Sequence, residues 1–202
     1  MQLLIRKSDL QAAFACSATK DIRYYLTGVY IEFAPNEDGG ILIFAGTNGG
    51  VLFCGTAPAV FSEGEQPAPF WMTIPADAVK AAIKSKTQCV YLTSLPDGRY
   101  TLADTVFAPV DAKYPDFRRV LPDKVSGELA QYDPALLLQA NTALNHYYQT
   151  KNKTYRLNHG GNSAGVMSAN GKDACVVVMP IVIESELYAG MNIPAMPEAK
   201  AA

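Results

Sequence analysis

The 202-residue sequence has no apolar run near the about 18 residues a membrane helix needs, and no charged, apolar and small-residue series opens it. A spanning helix and a secretory leader are therefore not expected, and the reading is a cytoplasmic chain without a membrane partner. Cysteine is scarce: Cys16, Cys54, Cys89 and Cys175 lie far apart, with no C-x-x-C and no histidine at ligand spacing. That excludes a zinc ribbon and a disulfide scaffold, and predicts buried free thiols in a reducing compartment. No phosphate loop, dinucleotide fingerprint or metal cluster occurs, so no cofactor is expected. An excess of positive charge is also lacking: 17 Lys/Arg face 19 Asp/Glu, a net −2, which does not announce a nucleic-acid ligand.

What is present is enough apolar matter for a core, with 49% hydrophobic and 10% aromatic residues. The charge is unevenly placed. Segments 5–23, 75–88 and 132–154, which read as helices with their flanks, hold nine Lys/Arg and four acids, a net +5. The remainder carries eight against fifteen, a net −7. Such segregation fits one basic face toward a phosphate backbone, and fits equally the Lys-rich surface common on amphipathic helices.

One pattern recurs three times. Gln2–Arg6 reads as a strand; Ser8 is a good helix cap, followed by Leu10, Ala13, Phe14 and Ser17 at helical spacing. Strands then fall at 28–33, 41–45 and 51–54, separated by the turns Pro35–Gly40 and Asn48–Gly50. After a polar connector, Phe70–Ile74, a helix capped by Asp77, and strands at 89–93, 99–103 and 106–110 repeat the order. After Pro122 it returns: a strand at 128–132, a helix opened by Asp133-Pro134, and strands at 154–157, 164–169 and 174–183. The expectation is an α+β fold of three β-α-β-β-β units, sheets outside and helices on one inner face, with domains at 1–122 and 123–183 and a loose tail at 184–202. Two such units pair naturally. The third exposes an edge, pairs with another chain, or curls back on the first two.

Between the second and third units lies Val110–Pro122, which concentrates Tyr114, Pro115, Phe117, Arg118, Arg119 and the apolar pair Val120-Leu121. A bare linker has no use for these residues. The stretch reads as a connector half-buried against both neighbours or as one wall of a binding groove.

Three stretches resemble the bacterial DNA polymerase sliding clamp (the beta clamp): Asp21–Val29, Tyr114–Pro122 and Val176–Ile181. They occur in the clamp's order, and the resemblance covers 1–122 as a middle domain and 127–183 as the second half of a last domain. It implies a groove for short linear peptides of polymerases and repair proteins, formed by Leu26, Thr47, Gly49, Leu52, Pro115, Arg119, Val120, Val177, Val178, Met179, Pro180 and Ile181. An apolar slot with an adaptable methionine and a rim arginine suits that task. The resemblance also implies non-specific contact with double-stranded DNA through Lys20, Arg23, Tyr24 and Tyr25; the charge argument adds Lys80, Lys84, Lys86, Lys151 and Lys153. Where the clamps carry Asp-Gly-His-Arg, this chain has Asn48-Gly49-Gly50-Val51, which removes a charge and an imidazole from the groove rim. The first domain and half of the last have no counterpart in the sequence. A ring of about twelve units would take four chains of three. The expected function is a sliding-clamp-like processivity factor, or a shortened relative that captures clamp-binding peptides without encircling DNA.

One enzymatic motif competes. Gly161-Asn162-Ser163-Ala164-Gly165 matches the G-x-S-x-G nucleophile elbow. An elbow needs a strand before it and a helix after it, whereas here a turn leads into another strand. A non-enzymatic protein is expected.

Overall fold

Strands with one buried face build two antiparallel sheets in the computed structural model, which describes residues 1–64, 67–152, 154–169 and 173–181. In chain order they are β1 (Gln2–Arg6), β2 (Val29–Ala34), β3 (Ile41–Thr47), β4 (Val51–Pro58), β5 (Val60–Phe61) and β6 (Phe70–Ile74). β7 (Cys89–Ser94), β8 (Tyr100–Leu102), β9 (Thr105–Phe107), β10 (Arg156–Asn158), β11 (Gly165–Ser168) and β12 (Ala174–Val178) complete the set. One sheet has the order β5-β1-β7-β8-β9, the other β10-β11-β12-β4-β3-β2-β6. The first two runs exchange leading strands: β1 joins the second run beside β7, and β6 joins the first beside β2. Neither sheet is complete without both runs.

The third run curls back on the first. β12 pairs antiparallel with β4, placing Val177 opposite Leu52 and Cys175 opposite Cys54. Its expected leading strand at 128–132 forms only an isolated bridge, Gln131 to Ile181. The reason lies in the backbone bonds: the Gly127 N–H goes to the His159 carbonyl and the Gly161 N–H to the Glu128 carbonyl, so this segment serves the following turn rather than a ladder. The strands expected at 99–103, 106–110 and 174–183 are shorter than anticipated, those at 41–45 and 51–54 are longer, and β5 was not anticipated.

Three helices, α1 (Lys7–Cys16), α2 (Ala76–Ile83) and α3 (Pro134–Tyr148), pack on the sheets. α1 packs against both others. The Arg6 guanidinium stands 5.5 Å from the Tyr147 ring centre, and Lys7 Nζ donates to the Ser85 carbonyl at 2.8 Å, so the start of α1 meets the ends of α2 and α3. Phe44 and Phe53 are fully buried, with Leu10, Ala13, Val79, Ala82 and Leu144 supplied to the same core by the helices. Arg6 grips the nearly inaccessible Asp9 through two hydrogen bonds of 2.9 and 2.8 Å.

The helix starts correct two expectations. α1 begins at Lys7, so Ser8 lies inside it and caps nothing; α2 begins at Ala76, leaving Asp77 in the first turn, paired only loosely with Lys80 at 3.8 Å. α3 starts as the sequence indicates: Asp133 accepts from the Ala135 N–H at 2.8 Å and Pro134 opens the helix. Asp133→Ala is expected to cost about 1 kcal/mol, read as a lower urea midpoint with unchanged slope. Of the thiols, only Cys16 is fully buried; Cys54, Cys89 and Cys175 are half-buried, and all four are free.

Candidate functional site

The connector is anchored before it can form a wall. Tyr114 and Phe117 are buried, and Tyr30 stacks on Tyr114 with ring centres 4.9 Å apart. Phe117 meets Tyr30 edge-on at 5.6 Å. Arg118 lies 4.9 Å from the Phe117 ring centre and donates to both carboxylate oxygens of Glu32 at 2.8 and 2.9 Å; the Tyr30 hydroxyl donates to the same carboxylate. Burial and the neighbouring Glu32 carboxylate push the Tyr30 phenol well above its ordinary range, so it stays a donor. A one-turn 3-10 helix, Phe117–Val120, is thereby bolted to the sheet.

A cleft of about 210 Å³ opens between this turn, β4 and the end of β12. Leu26, Leu52 and Val177 belong to the buried apolar cluster beside it, with Ala18, Tyr30, Ala45, Tyr114 and Phe117. Of the residues expected in the groove, Leu26, Thr47, Gly49, Leu52, Pro115, Val120, Val177 and Met179 line it. Val178 does not: strand alternation turns it to the helix side, where it is fully buried. Pro180, Ile181 and Arg119 lie outside the lining, Arg119 on the exposed turn with its Nε donating to Asp116 at 3.1 Å. The lining also includes Arg23, Gly50, Val51, Asp116 and Phe117, which were not expected in it. Four of them lie within two residues of expected ones, so the signal was local; Arg23 was assigned elsewhere.

The Asn48–Val51 turn beside the cleft holds itself. Asn48 Oδ1 accepts from the Gly50 and Val51 N–H groups at 2.9 and 3.0 Å, and its Nδ2 donates to Gln139 on α3. Thr47 Oγ1 accepts from Gly49, which sits at φ 95° where a side chain is strained. The Gly50 carbonyl receives the Met179 N–H at 2.9 Å and draws the end of β12 to the cleft. Arg23 reaches the wall as a fork to Asp21, with bonds of 3.0 and 2.7 Å. That guanidinium pushes the Asp21 carboxyl down to about 2.

The residues expected to touch DNA do not form one patch. Lys20, Arg23, Tyr24 and Tyr25 follow the end of α1. Lys84 and Lys86 follow α2 and Lys151 follows α3, at the opposite end of α1. Lys153 lies outside the described residues. Tyr24 donates its hydroxyl to the Asp111 carbonyl at 3.1 Å, and Tyr25 packs against the apolar cluster of the groove. The helices themselves are neutral, which corrects the picture of basic helices. α1 carries Lys7 and Asp9, α2 carries Asp77 and Lys80, and α3 contains no Asp, Glu, Lys or Arg. The +5 of these segments sits in their flanks.

The serine motif is a turn between β10 and β11 and leads into a strand. Among the described residues no hydrogen bond joins Ser163 to a histidine; His159 Nδ1 accepts from the Ala130 N–H at 3.3 Å. No group of three or more metal-ligating side chains and no helix long and apolar enough to cross a membrane occurs among the described residues.

These elements define a clamp class of fold, two sheets carrying helices on one face. No protein-family model and no curated protein sequence matches the chain. Solved structures do: it has the fold of the beta subunit of bacterial DNA polymerase III, the sliding clamp. The Pseudomonas aeruginosa subunit superposes with a TM-score of 0.64 at 16% identity, over 91% of this chain and 66% of that one. The Helicobacter pylori beta clamp bound to a DNA ligase peptide gives 0.70 at 11%, over 90% and 66%. The Bacillus subtilis sliding clamp gives 0.66 at 12%, over 91% and 64%. The chain spans about two thirds of the length of these clamps.

Proposed function

We propose that this protein is a clamp-like tether whose groove between the connector, β4 and the end of β12 takes short apolar peptides of DNA polymerases or other replication and repair proteins. The observation that carries this is the convergence of three distant segments, around Leu26, Pro115–Val120 and Val177–Met179, on one apolar cleft. A neighbour of the same fold binds a DNA ligase peptide, which supports a peptide as the class of occupant. The clamp neighbours support a non-enzymatic role. The groove assignment includes Arg119, Pro180 and Ile181 as rim residues rather than floor. The test is fluorescence anisotropy with a labelled DNA ligase peptide: saturable binding is expected, and no binding by the folded protein overturns the reading.

DNA contact is the second half of the proposal, with Lys20, Arg23, Tyr24 and Tyr25 at one end of α1, Lys80, Lys84, Lys86 and Lys151 toward the other, and Lys153, outside the described residues, kept from the charge argument. Such contact is to phosphates and independent of sequence. Lys84→Ala with Lys86→Ala is expected to weaken binding to double-stranded DNA and to lower the slope of log K against log salt by about 0.9 per lost phosphate contact. An unchanged slope removes these lysines from the interface. The neutral faces of α1, α2 and α3 favour a second reading, a module that captures clamp-binding peptides without encircling DNA. Self-association into a ring of four chains separates the two, and light scattering over a range of concentrations measures it.

A further inference from the structure

Three residues before each helix, the leading segment meets the chain that follows the last strand of the same run. Leu4 pairs with Val60, the Thr73 carbonyl receives the Val110 N–H, and the Gln131 carbonyl receives the Ile181 N–H. The third run therefore holds its leading segment as the first two hold β1 and β6. The difference is on the outer side. β1 lies along β7 and β6 along β2, each on the first strand after the other run's helix, with Leu4 opposite Tyr91 and Thr73 opposite Tyr30. Segment 128–132 has no such strand beside it among the described residues, and β10, the first strand after α3, is the outer strand of its sheet. The Ala130 N–H goes instead to His159 Nδ1, at 3.3 Å. The helix beside this free edge is uncovered as well. α3 has no Asp, Glu, Lys or Arg in 15 residues, and its Leu138 is 67% exposed. Leu137 and Leu138 border an open cavity of about 310 Å³ with Tyr155, Leu157 and Met167. A helix that faces water carries charge on that face; a neutral one is suited to being covered.

We propose that a second copy of this chain covers this face: two chains exchange segments 128–132 about a two-fold axis, each laying its segment along the other's β10 and packing α3 on α3. The occupant is argued from the chain itself, because the first two runs already close on one another by this exchange, and an exchanged identical element is a low-cost route to a dimer. The register follows theirs. Gln131 falls opposite Arg156 across the axis, Ala130 opposite Leu157, and Glu128 opposite His159. Since the Gln131 carbonyl is turned to Ile181, Ala130 is the residue that bonds outward, as Met72 does opposite Ile31. Its N–H trades the long bond to an imidazole for a ladder bond to the Leu157 carbonyl, and the free edge of β10 is closed. Two chains joined in this way hold six runs in three closed pairs; a ring of four chains then needs one further contact elsewhere. The proposal goes beyond the peptide groove and does not depend on it.

The test uses the full-length chain and light scattering over a range of concentrations. A species of two chains is expected, or of four if a further contact closes a ring. Leu138→Lys places an ammonium in the covered face and is expected to raise the dimer Kd about a hundredfold, or to leave pairs where the parent forms fours. Leu138 is exposed in the single chain, so its circular dichroism spectrum is expected to stay unchanged. Ala130→Pro removes the exchanged N–H and is expected to raise the Kd about tenfold. The exchange itself is read by co-expressing chains that carry Gln131→Cys with chains that carry Arg156→Cys, and oxidising the mixture. A covalent pair is expected from the mixture and from neither variant alone, which separates it from any bond made by the native thiols. A monomer at every concentration overturns the proposal. So does a dimer that either Leu138→Lys or Ala130→Pro leaves unchanged, and so does a mixture that yields no more covalent pair than the separate variants. The DNA ligase peptide is expected to bind parent and Leu138→Lys alike, so failure of the exchange and failure of the groove reading are told apart.

Discussion

Met179→Glu, or Val120→Glu in the connector, is expected to reduce binding of a DNA ligase peptide about a hundredfold without unfolding the protein. Both side chains are close to half-exposed on the cleft, so the free protein tolerates a carboxylate there, and its unfolding midpoint should move by no more than about 0.5 kcal/mol. A bound peptide removes water from that position. An unpaired carboxylate left in an apolar contact costs about 3 kcal/mol, which converts to roughly two decades in Kd. Arg23 and Arg119 do not relieve this cost in full, because each already serves an aspartate, Asp21 and Asp116. Anisotropy titrations on parent and variants measure the ratio, and thermal unfolding monitors the fold. Retained affinity in both variants would move the peptide site away from this cleft.

The largest effect on stability is expected from Gly46→Ala. Gly46 lies on β3 where the end of α1 crosses the sheet. A Cβ built there lands on the Ala13 carbonyl oxygen, 2.6 Å from its carbon and 2.8 Å from Ser17 Oγ. The obstacle is helix backbone, which cannot rotate aside. α1 has to lift from the sheet, and the move loosens Leu10 and Ala13 in the core and strains the 2.8 Å bond from Ser17 Oγ to the Gly28 carbonyl. A cost of about 3 kcal/mol is expected from overpacking of this kind, seen as a fall in the urea midpoint. Gly49→Ala is the control: an added Cβ there meets only the Arg23 guanidinium, at an ordinary contact distance of 3.5 Å, but φ is 95°, so only the backbone cost of about 1 kcal/mol applies. Equal effects at the two positions would contradict the close approach of α1 to β3.

Much of the fold was legible because local chemistry decides local structure. Asp133-Pro134 starts α3 since a carboxylate satisfies a free N–H and proline gives up none that the helix needs. The connector could be recognised as more than a linker because two buried aromatics and an ion-paired arginine are wasteful in solvent. The caps of α1 and α2 were misread for a complementary reason. Ser8 and Asp77 have capping side chains, but β1 and β6 deliver the chain so that the helices begin two residues earlier than those caps would give, at Lys7 and Ala76.

The groove was legible only in part. Val177 and Val178 are indistinguishable as residue types, yet alternation sends one to the cleft and the other to the helix core. Arg23 could not be placed by charge alone: it is a cation in a segment of net positive charge, and its fork to Asp21 carries it to the groove wall. The basic character of the helical segments was a true statement about sequence windows and a misleading one about the helices, because most of the cations fall outside them and Lys7 and Lys80 are balanced by Asp9 and Asp77.

The sequence by itself determined the α+β class, the order of most elements, the start of α3 and the residue types that make an apolar slot, since propensity, capping and periodicity act over a few residues. Tertiary structure alone decided that β12 seats beside β4, that 128–132 spends its hydrogen bonds on a turn, and that three segments spread from Leu26 to Met179 meet at one cleft. Pairing between distant strands depends on which edges remain free once the other strands have paired. That is a property of the assembled sheets and is written in no single stretch of the chain.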